Sequence, residues 1–370
     1  MVFATIAALS GLLVLLTLLP LSRQEVWWIR GLDFPRLQLA SVALALSVAI
    51  PVLLDRSGTV TWLMLAATLA CFLYHAWWIY PYTRLYPVEV LQADDAIHGE
   101  RIRILSANVL TPNRQADAFL KLVRENNPDI LVTLETDLWW QERLDVLEAD
   151  YPHTMKCPLD NLYGMHLYSK LPLEDAEIQF LVEPDKPSMH AAVVLPTGLR
   201  VRMHFVHPAP PSPTENDEST ERDAELLVIA KSVAESKLPV VVTGDLNDVA
   251  WSATTRLFRK ISGLLDPRIG RGMFNTFHAG YRFIRFPVDH VFHSRHFTLA
   301  DIRRLPYYGS DHFPMLVELA YDKRIAPLQQ GLPADEEDRE WADEKTGEKD
   351  VEKDDVHAPD EEPALPRRGI

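Results

Sequence analysis

Three apolar stretches within the first 80 residues limit most strongly what this chain can fold into. Residues 3–21 contain no charged side chain and are long enough to cross a bilayer as a helix. Two more such stretches follow at 37–54 and 59–80. A cleaved leader would begin with basic residues, and Met1-Val2-Phe3 supplies none. Buried helices of a soluble domain would carry polar faces, which these stretches lack. Trp27, Trp28, Trp77, Trp78, Tyr80 and Tyr82 cluster at the segment ends, where amphipathic rings settle at the headgroup level. Residues 1–85 therefore read as a membrane domain with three transmembrane helices and the lipid bilayer as partner.

Three crossings put loop 23–36 and everything after residue 85 on one side. That side carries Arg23, Arg30, Arg36 and Arg84 near the membrane, against Arg56 opposite. The excess of arginine favours a cytoplasmic location for the rest of the chain, in an inner or plasma membrane.

Composition changes twice more. Residues 98–324 are ordinary globular sequence, and residues 325–370 carry −9 of the chain's net charge of −15. The last segment alternates acids and bases with few aromatics, which reads as a disordered acidic tail. Two cysteines, Cys71 in an apolar stretch and Cys157 in the globular part, make no disulfide framework.

Between residues 98 and 324 short β-branched runs alternate with helical patterns, and polar residues close the runs. Residues 101–108 alternate as a half-buried strand ending on Asn108, and 129–135 form a buried strand ending on Glu135. Residues 199–206 lead to His207-Pro208. Residues 238–243 run into Gly244-Asp245-Leu246-Asn247, where an acid and an amide two residues apart share one direction at a strand end. Val288-Asp289-His290-Val291 places an acid within a strand. Ser310-Asp311-His312-Phe313-Pro314 places an acid and a histidine in a turn before the last strand, 315–320. Helices are expected over 114–126, 137–148, 220–236 and near 252–259.

These residue types suit hydrolysis of a phosphate ester. A hard cation such as Mg²⁺, or Mn²⁺ in its place, takes oxygen ligands and keeps several waters; Glu135, Asn108 and Asp311 fit that need. An attacking water must lose a proton, and His312 is the natural acceptor. Asp289 would orient that ring. Asp245 and Asn247 would position water and phosphate, and His207 would donate to a phosphoryl oxygen. Singly each has an ordinary structural use as a cap, turn or ion-pair residue; their recurrence at one strand end after another does not.

The order Ser-Ala-Asn108, Leu-Glu135, His207-Pro, Gly-Asp245-Leu-Asn247, Val-Asp289-His-Val and Ser-Asp311-His312-Phe-Pro resembles the endonuclease/exonuclease/phosphatase superfamily with the DNase I-like fold, over about residues 100–322. The resemblance implies an α+β, four-layer sandwich of two packed mixed sheets flanked by helices. It implies that Asn108, Glu135 and Asp311 surround the metal. It also implies that His312 is the catalytic histidine oriented by Asp289, and that His207, Asp245 and Asn247 contact phosphate or water. The apolar segments lie outside the shared fold.

Such a fold leaves the phosphate ester open: a lipid headgroup, an inositol phosphate or a nucleic acid. Ten Lys and Arg residues between 256 and 304 offer a local basic excess, which favours a polyanion. The acidic balance of the whole disfavours tight DNA binding. The expectation is a membrane-anchored, Mg²⁺-dependent phosphoesterase with no obligate protein partner. A nuclease and a catalytically silent membrane scaffold are the alternatives.

Overall fold

The computed structural model describes residues 1–94 and 100–359. The domain boundary expected at 98 and residues 360–370 lie outside the described residues.

Helices α1 (Val2–Leu18), α3 (Arg36–Leu53) and α4 (Thr59–Ile79) pack together, with a short α2 (Trp27–Arg30) between the first two. With their flanking turns the three long ones form apolar spans of 21, 18 and 24 residues, enough to cross a membrane. Their outer faces expose Leu12, Leu15, Val48, Val52, Leu63 and Leu73. The arginines behind the orientation argument are partly spent: Arg30 and Arg36 both pair with Asp33 and are buried. The link to the rest of the chain is extensive. Trp251 Nε1 donates to Asp33 O at 2.9 Å, Tyr82 Oη donates to Ala250 O at 2.5 Å, and Trp27 N donates to Asp217 O at 2.9 Å.

Eleven strands follow among the described residues: β1 (Arg101–Asn108), β2 (Ile130–Leu134), β3 (His153–Cys157), β4 (Met165–Ser169), β5 (Leu173–Gln179), β6 (Ser188–Val194), β7 (Arg200–Val206), β8 (Val240–Asp245), β9 (Asp289–His293), β10 (Phe297–Arg304) and β11 (Met315–Tyr321). They build two mixed sheets, ordered β10-β11-β1-β2-β4-β3 and β5-β6-β7-β8-β9. In each sheet one central pair is parallel, β1–β2 and β7–β8, and the other pairs are antiparallel.

Alternation along the strands explains the layers. Ile104, Val132, Met203, Val241 and Val291 meet between the sheets. Leu105 and Leu131 face outward onto α5 (Ala116–Asn126) and α6 (Leu138–Leu144) through Phe119 and Trp140. Val240 and Val242 face α7 (Thr220–Ala234) and α8 (Ala253–Ser262) through Val228 and Phe258. The result is the four-layer sandwich that the motifs implied.

The tail expectation needs correction. Residues Glu336–Gly347 form helix α9, opened by a capping box between Asp335 and Asp338. The alternating charges of α9 and of Lys349 just beyond it find partners instead of solvent. Lys231 pairs with Asp343 and Lys260 with Asp338, both at 2.6 Å, and Lys349 pairs with Glu221 at 2.5 Å. Lys345 is buried between Glu25 and Asp223, so α9 ties the loop after α1 to α7. Breaking a buried pair strands the remaining charges, so Lys345→Ala is expected to destabilise the fold by about 3 kcal/mol. Chemical unfolding of the full chain checks this; an unchanged midpoint would mean the tie is idle.

Glu225, buried on α7 with Oε1 unpartnered, is pushed up to about 8 by burial and then by the Glu183 charge. Its folded value lies above the ordinary 4.5. The fold therefore prefers the protonated acid, and that preference is lost as pH rises toward 8. Glu225→Gln is expected to match the parent in stability near pH 4.5 and to exceed it above 8; unfolding curves across that window check it.

Candidate active site

Every singled-out side chain stands at one edge of the two packed sheets, and the strand directions explain why. The parallel strands β1 and β2 end together at Asn108 and Leu134, and Glu135 follows in a left-handed turn with φ of 60°. The parallel strands β7 and β8 end at Val206 and Asp245, bringing His207 and Asp245 alongside. Strand β9 runs antiparallel to β8 and starts at Asp289, directly opposite Asp245. Strand β11 runs antiparallel to β1, with Met315 opposite Ser106, so the turn carrying Asp311 and His312 meets Asn108. Asp289 thus opens its strand instead of lying within it.

Gly244 lets the second sheet deliver its acid. Its φ is 149°, and a Cβ there would sit 1.9 Å from Val206 O, so only glycine fits this close approach.

Two pairs form the centre. Asn108 Nδ2 donates to Glu135 Oε1 at 2.7 Å and points toward Asp245 Oδ2 at 3.4 Å. His312 Nδ1 meets Asp289 Oδ2 at 2.8 Å, while Nε2 faces Asp245 Oδ2 at 3.5 Å. His207 Nε2 approaches the same Asp245 oxygen at 3.9 Å, with its ring 5.0 Å from that of Tyr163. Asn247, in a left-handed turn with φ of 50°, donates from Nδ2 to Pro208 O at 3.0 Å, and its N–H donates to Asp245 Oδ1 at 2.9 Å. In this structure Asn247 therefore braces the His207 and Asp245 loops. Asp311 is half-buried beside Ser310, and its carbonyl accepts from Ala279 N at 2.6 Å.

The electrostatics follow from burial. Desolvation pushes Glu135 up to about 7, against the Asn108 hydrogen bond. It pushes Asp245 up to about 7 as well, against the attraction of His312. Burial opposes charge on His312, but the Asp289 and Asp245 carboxylates outweigh it and push the ring up to about 10. Burial drives His207 down to about 3, which keeps it neutral.

The donor chemistry suits a cation. Glu135 Oε2 and Asp289 Oδ1 are buried without a hydrogen-bond partner, an arrangement that costs free energy unless something binds there. Asp245, Asp289 and His312 offer donor atoms within 4.8 Å of one another, a group that could hold a metal ion.

Residues outside the motifs support this centre. Tyr308 Oη and Ser310 Oγ both donate to Asn108 O, at 2.6 and 2.7 Å, and fix the end of β1. Arg222 on α7 donates to Asn247 O at 3.0 Å while paired with Asp223 at 2.8 Å. Ser310 belongs to the Ser-Asp-His-Phe-Pro motif; Tyr308 and Arg222 give no local signal. His290 is structural, as its ring binds Asp248 O and Arg268. Much of the basic excess is spent internally too, on Arg259–Glu89, Arg268–Asp266 and Arg303–Asp301.

Comparison with known proteins gives the family and the fold. The sequence pattern of the Endonuclease/Exonuclease/phosphatase family matches residues 105–312. No curated protein matches the chain. Among solved structures, the human Nocturnin catalytic domain with bound sulfate anion is 15% identical, with a TM-score of 0.52 over 65% of this chain and 99% of that one. An endonuclease/exonuclease/phosphatase from Beutenbergia cavernae is 17% identical, with a TM-score of 0.49 over 60% and 72%. A humanized D. rerio TDP2 is 16% identical, with a TM-score of 0.49 over 60% and 99%. At 15% identity, the likeness to the Nocturnin domain speaks for the fold alone.

Proposed function

Because this chain belongs to the endonuclease/exonuclease/phosphatase family, we propose that it is a membrane-anchored, Mg²⁺-dependent phosphoesterase. The observation that carries this reading is the His312–Asp289 pair at 2.8 Å, set beside the buried, unpartnered Glu135 Oε2.

The proposed roles follow from the geometry. Asp289 Oδ2 accepts from His312 Nδ1, leaving Nε2 to take a proton from a water that Asp245 holds. The water oxygen attacks phosphorus, the P–O bond to the ester oxygen breaks, and that oxygen leaves as the alcohol with a proton from solvent, while the attacking water's proton rests on His312. His207, neutral, donates an N–H to a phosphoryl oxygen. Asn247 keeps the His207 and Asp245 loops in register. Glu135, with Asp311 and Asn108 beside it, would hold the cation: carboxylate oxygen is what Mg²⁺ prefers, whereas a cation at the group around His312 would occupy the Nε2 that takes the proton. When bound, the cation supplies charge neutralisation for the phosphoryl oxygens and for the surrounding carboxylates.

Protonation favours a second assignment, with Asp245, near 7, as the base and a charged His312 facing the phosphate. Asp245→Asn and His312→Gln separate the two through the rate at high pH. Only loss of the true base removes the limb that rises with pH.

The three apolar spans support membrane anchoring, and Arg23 and Arg84 beside them support a catalytic domain on the cytoplasmic face. The test uses the full chain in vesicles, with Mg²⁺ or EDTA, on bis-p-nitrophenyl phosphate, single-stranded DNA, sphingomyelin and a phosphoinositide. Turnover that EDTA abolishes supports the proposal. A folded protein that turns over none of them points instead to a silent scaffold.

A further inference from the structure

We propose that the loop between Phe277 and Phe286 is a membrane-docking element that sets the mouth of the active site against the bilayer, so that the substrate is a phosphate ester carried by a membrane lipid. The inference rests on the phosphoesterase reading of the site and names its substrate class.

One end of this loop touches the catalytic residues. The Phe277 ring lies 4.9 Å from that of His312, and Ala279 N donates to Asp311 O at 2.6 Å. The strands of the loop close through paired hydrogen bonds between Phe277 and Phe286, and Arg285 clamps its interior by donating to Tyr281 O and Ala279 O. The other end touches the membrane helices. Gln38, in the first turn of α3, donates from Nε2 to Phe283 O at 3.1 Å, and Phe34 and Phe286 pack edge to face at 5.3 Å. The loop therefore bridges His312 and the start of an apolar span.

Its exposed side chains suit that position. Tyr281, Phe283 and Ile284 are 57%, 83% and 54% exposed, a large apolar display for a tip of a few residues. Trp27, Trp28, Trp77 and Tyr80 are exposed at the same ends of the helices, where aromatic rings mark the headgroup level. The tip continues that belt. Arg282 beside it, and Arg285 and Arg304 stacked on Phe313 at 4.9 and 4.3 Å, add positive charge between the tip and the site, which suits a phosphate at an anionic lipid surface. A nucleic acid would use cations in place of an apolar tip, and the internal pairing of Arg259, Arg268 and Arg303 leaves fewer of them.

The test uses the full chain in phosphatidylcholine vesicles with a minor fraction of phosphatidylglycerol. An environment-sensitive fluorophore is placed at Phe283→Cys, in a Cys71→Ala, Cys157→Ser background. A reference label sits at Lys121→Cys, a solvated position on α5 whose side chain is 74% exposed. The label at 283 is expected to shift to the blue and to be quenched by headgroup spin-labelled lipid but not by aqueous iodide. Iodide quenching equal to that at 121 would overturn the docking.

For substrate class, Phe283→Ser with Ile284→Ser is expected to lower turnover of vesicle phosphatidylglycerol or phosphatidic acid about tenfold. Turnover of soluble bis-p-nitrophenyl phosphate should be unchanged. Hydrolysis of the soluble diester or of single-stranded DNA, with neither vesicle lipid touched, would overturn the lipid assignment. No turnover of any substrate would overturn the phosphoesterase reading instead, with the fluorophore still judging the docking on its own.

Discussion

Replacing His312 with alanine is expected to lower phosphoester hydrolysis by about 10²–10⁴-fold, the usual contribution of a positioned general base. The ring faces both acids that stand opposite each other across β8 and β9: Asp289 at 2.8 Å and Asp245 at 3.5 Å. Removing it also leaves Asp289, whose Oδ1 already lacks a partner, as an uncompensated buried charge. His312→Gln therefore accompanies the alanine variant, because it keeps a side-chain amide near Asp289 without a basic nitrogen. Both variants are expected to be folded by circular dichroism and to lose activity. Full activity in the glutamine variant would remove His312 from the chemistry.

Glu135→Gln carries the second large effect. Its Oε1 accepts from Asn108 at 2.7 Å, and an amide oxygen preserves that bond. What the change removes is the negative charge on the unpartnered Oε2. A cation held by one carboxylate, one amide and one further acid depends strongly on each charge. The expected results are a fall in activity of about 10²-fold or more at the Mg²⁺ level that saturates the parent and a half-saturating Mg²⁺ concentration raised at least about tenfold. Thermal unfolding gives an independent reading: added Mg²⁺ should raise the midpoint of the parent and leave that of the variant in place. If Mg²⁺ still stabilises the variant and supports its turnover as before, the cation binds elsewhere, and the group at Asp245, Asp289 and His312 becomes the site to test.

Much of this centre is legible in the amino-acid sequence, for a physical reason. Asn108, Glu135, His207 and Asp245 interrupt buried apolar runs at their ends, and a polar residue at the end of a β-strand is conspicuous against valines and leucines. The two parallel pairs, β1–β2 and β7–β8, then bring those ends to one edge of the sandwich. Supports such as Tyr308 and Arg222 act through partners about 200 and 25 residues away in the chain, and no local pattern records that.

Three strands that the hydropathy pattern does not reveal, β3, β5 and β10, all lie at sheet edges. Edge strands carry charge that blunts further pairing. In β5 the run Leu-Glu-Asp-Ala-Glu-Ile-Gln hides the alternation that marks a strand. The tail misleads for the opposite reason. A composition that normally stays solvated becomes helix α9 because Lys231, Lys260, Glu221 and Asp223 on α7 and α8 supply its partners.

The central claim is that a water, deprotonated at this site, attacks phosphorus. It is tested most directly by running the Mg²⁺-supported reaction of the full chain in water labelled with heavy oxygen and weighing the products. The label is expected in the phosphate product and not in the released alcohol, with incorporation lost in His312→Gln and in EDTA. Label in the alcohol, or turnover indifferent to both His312 and the metal, would contradict it.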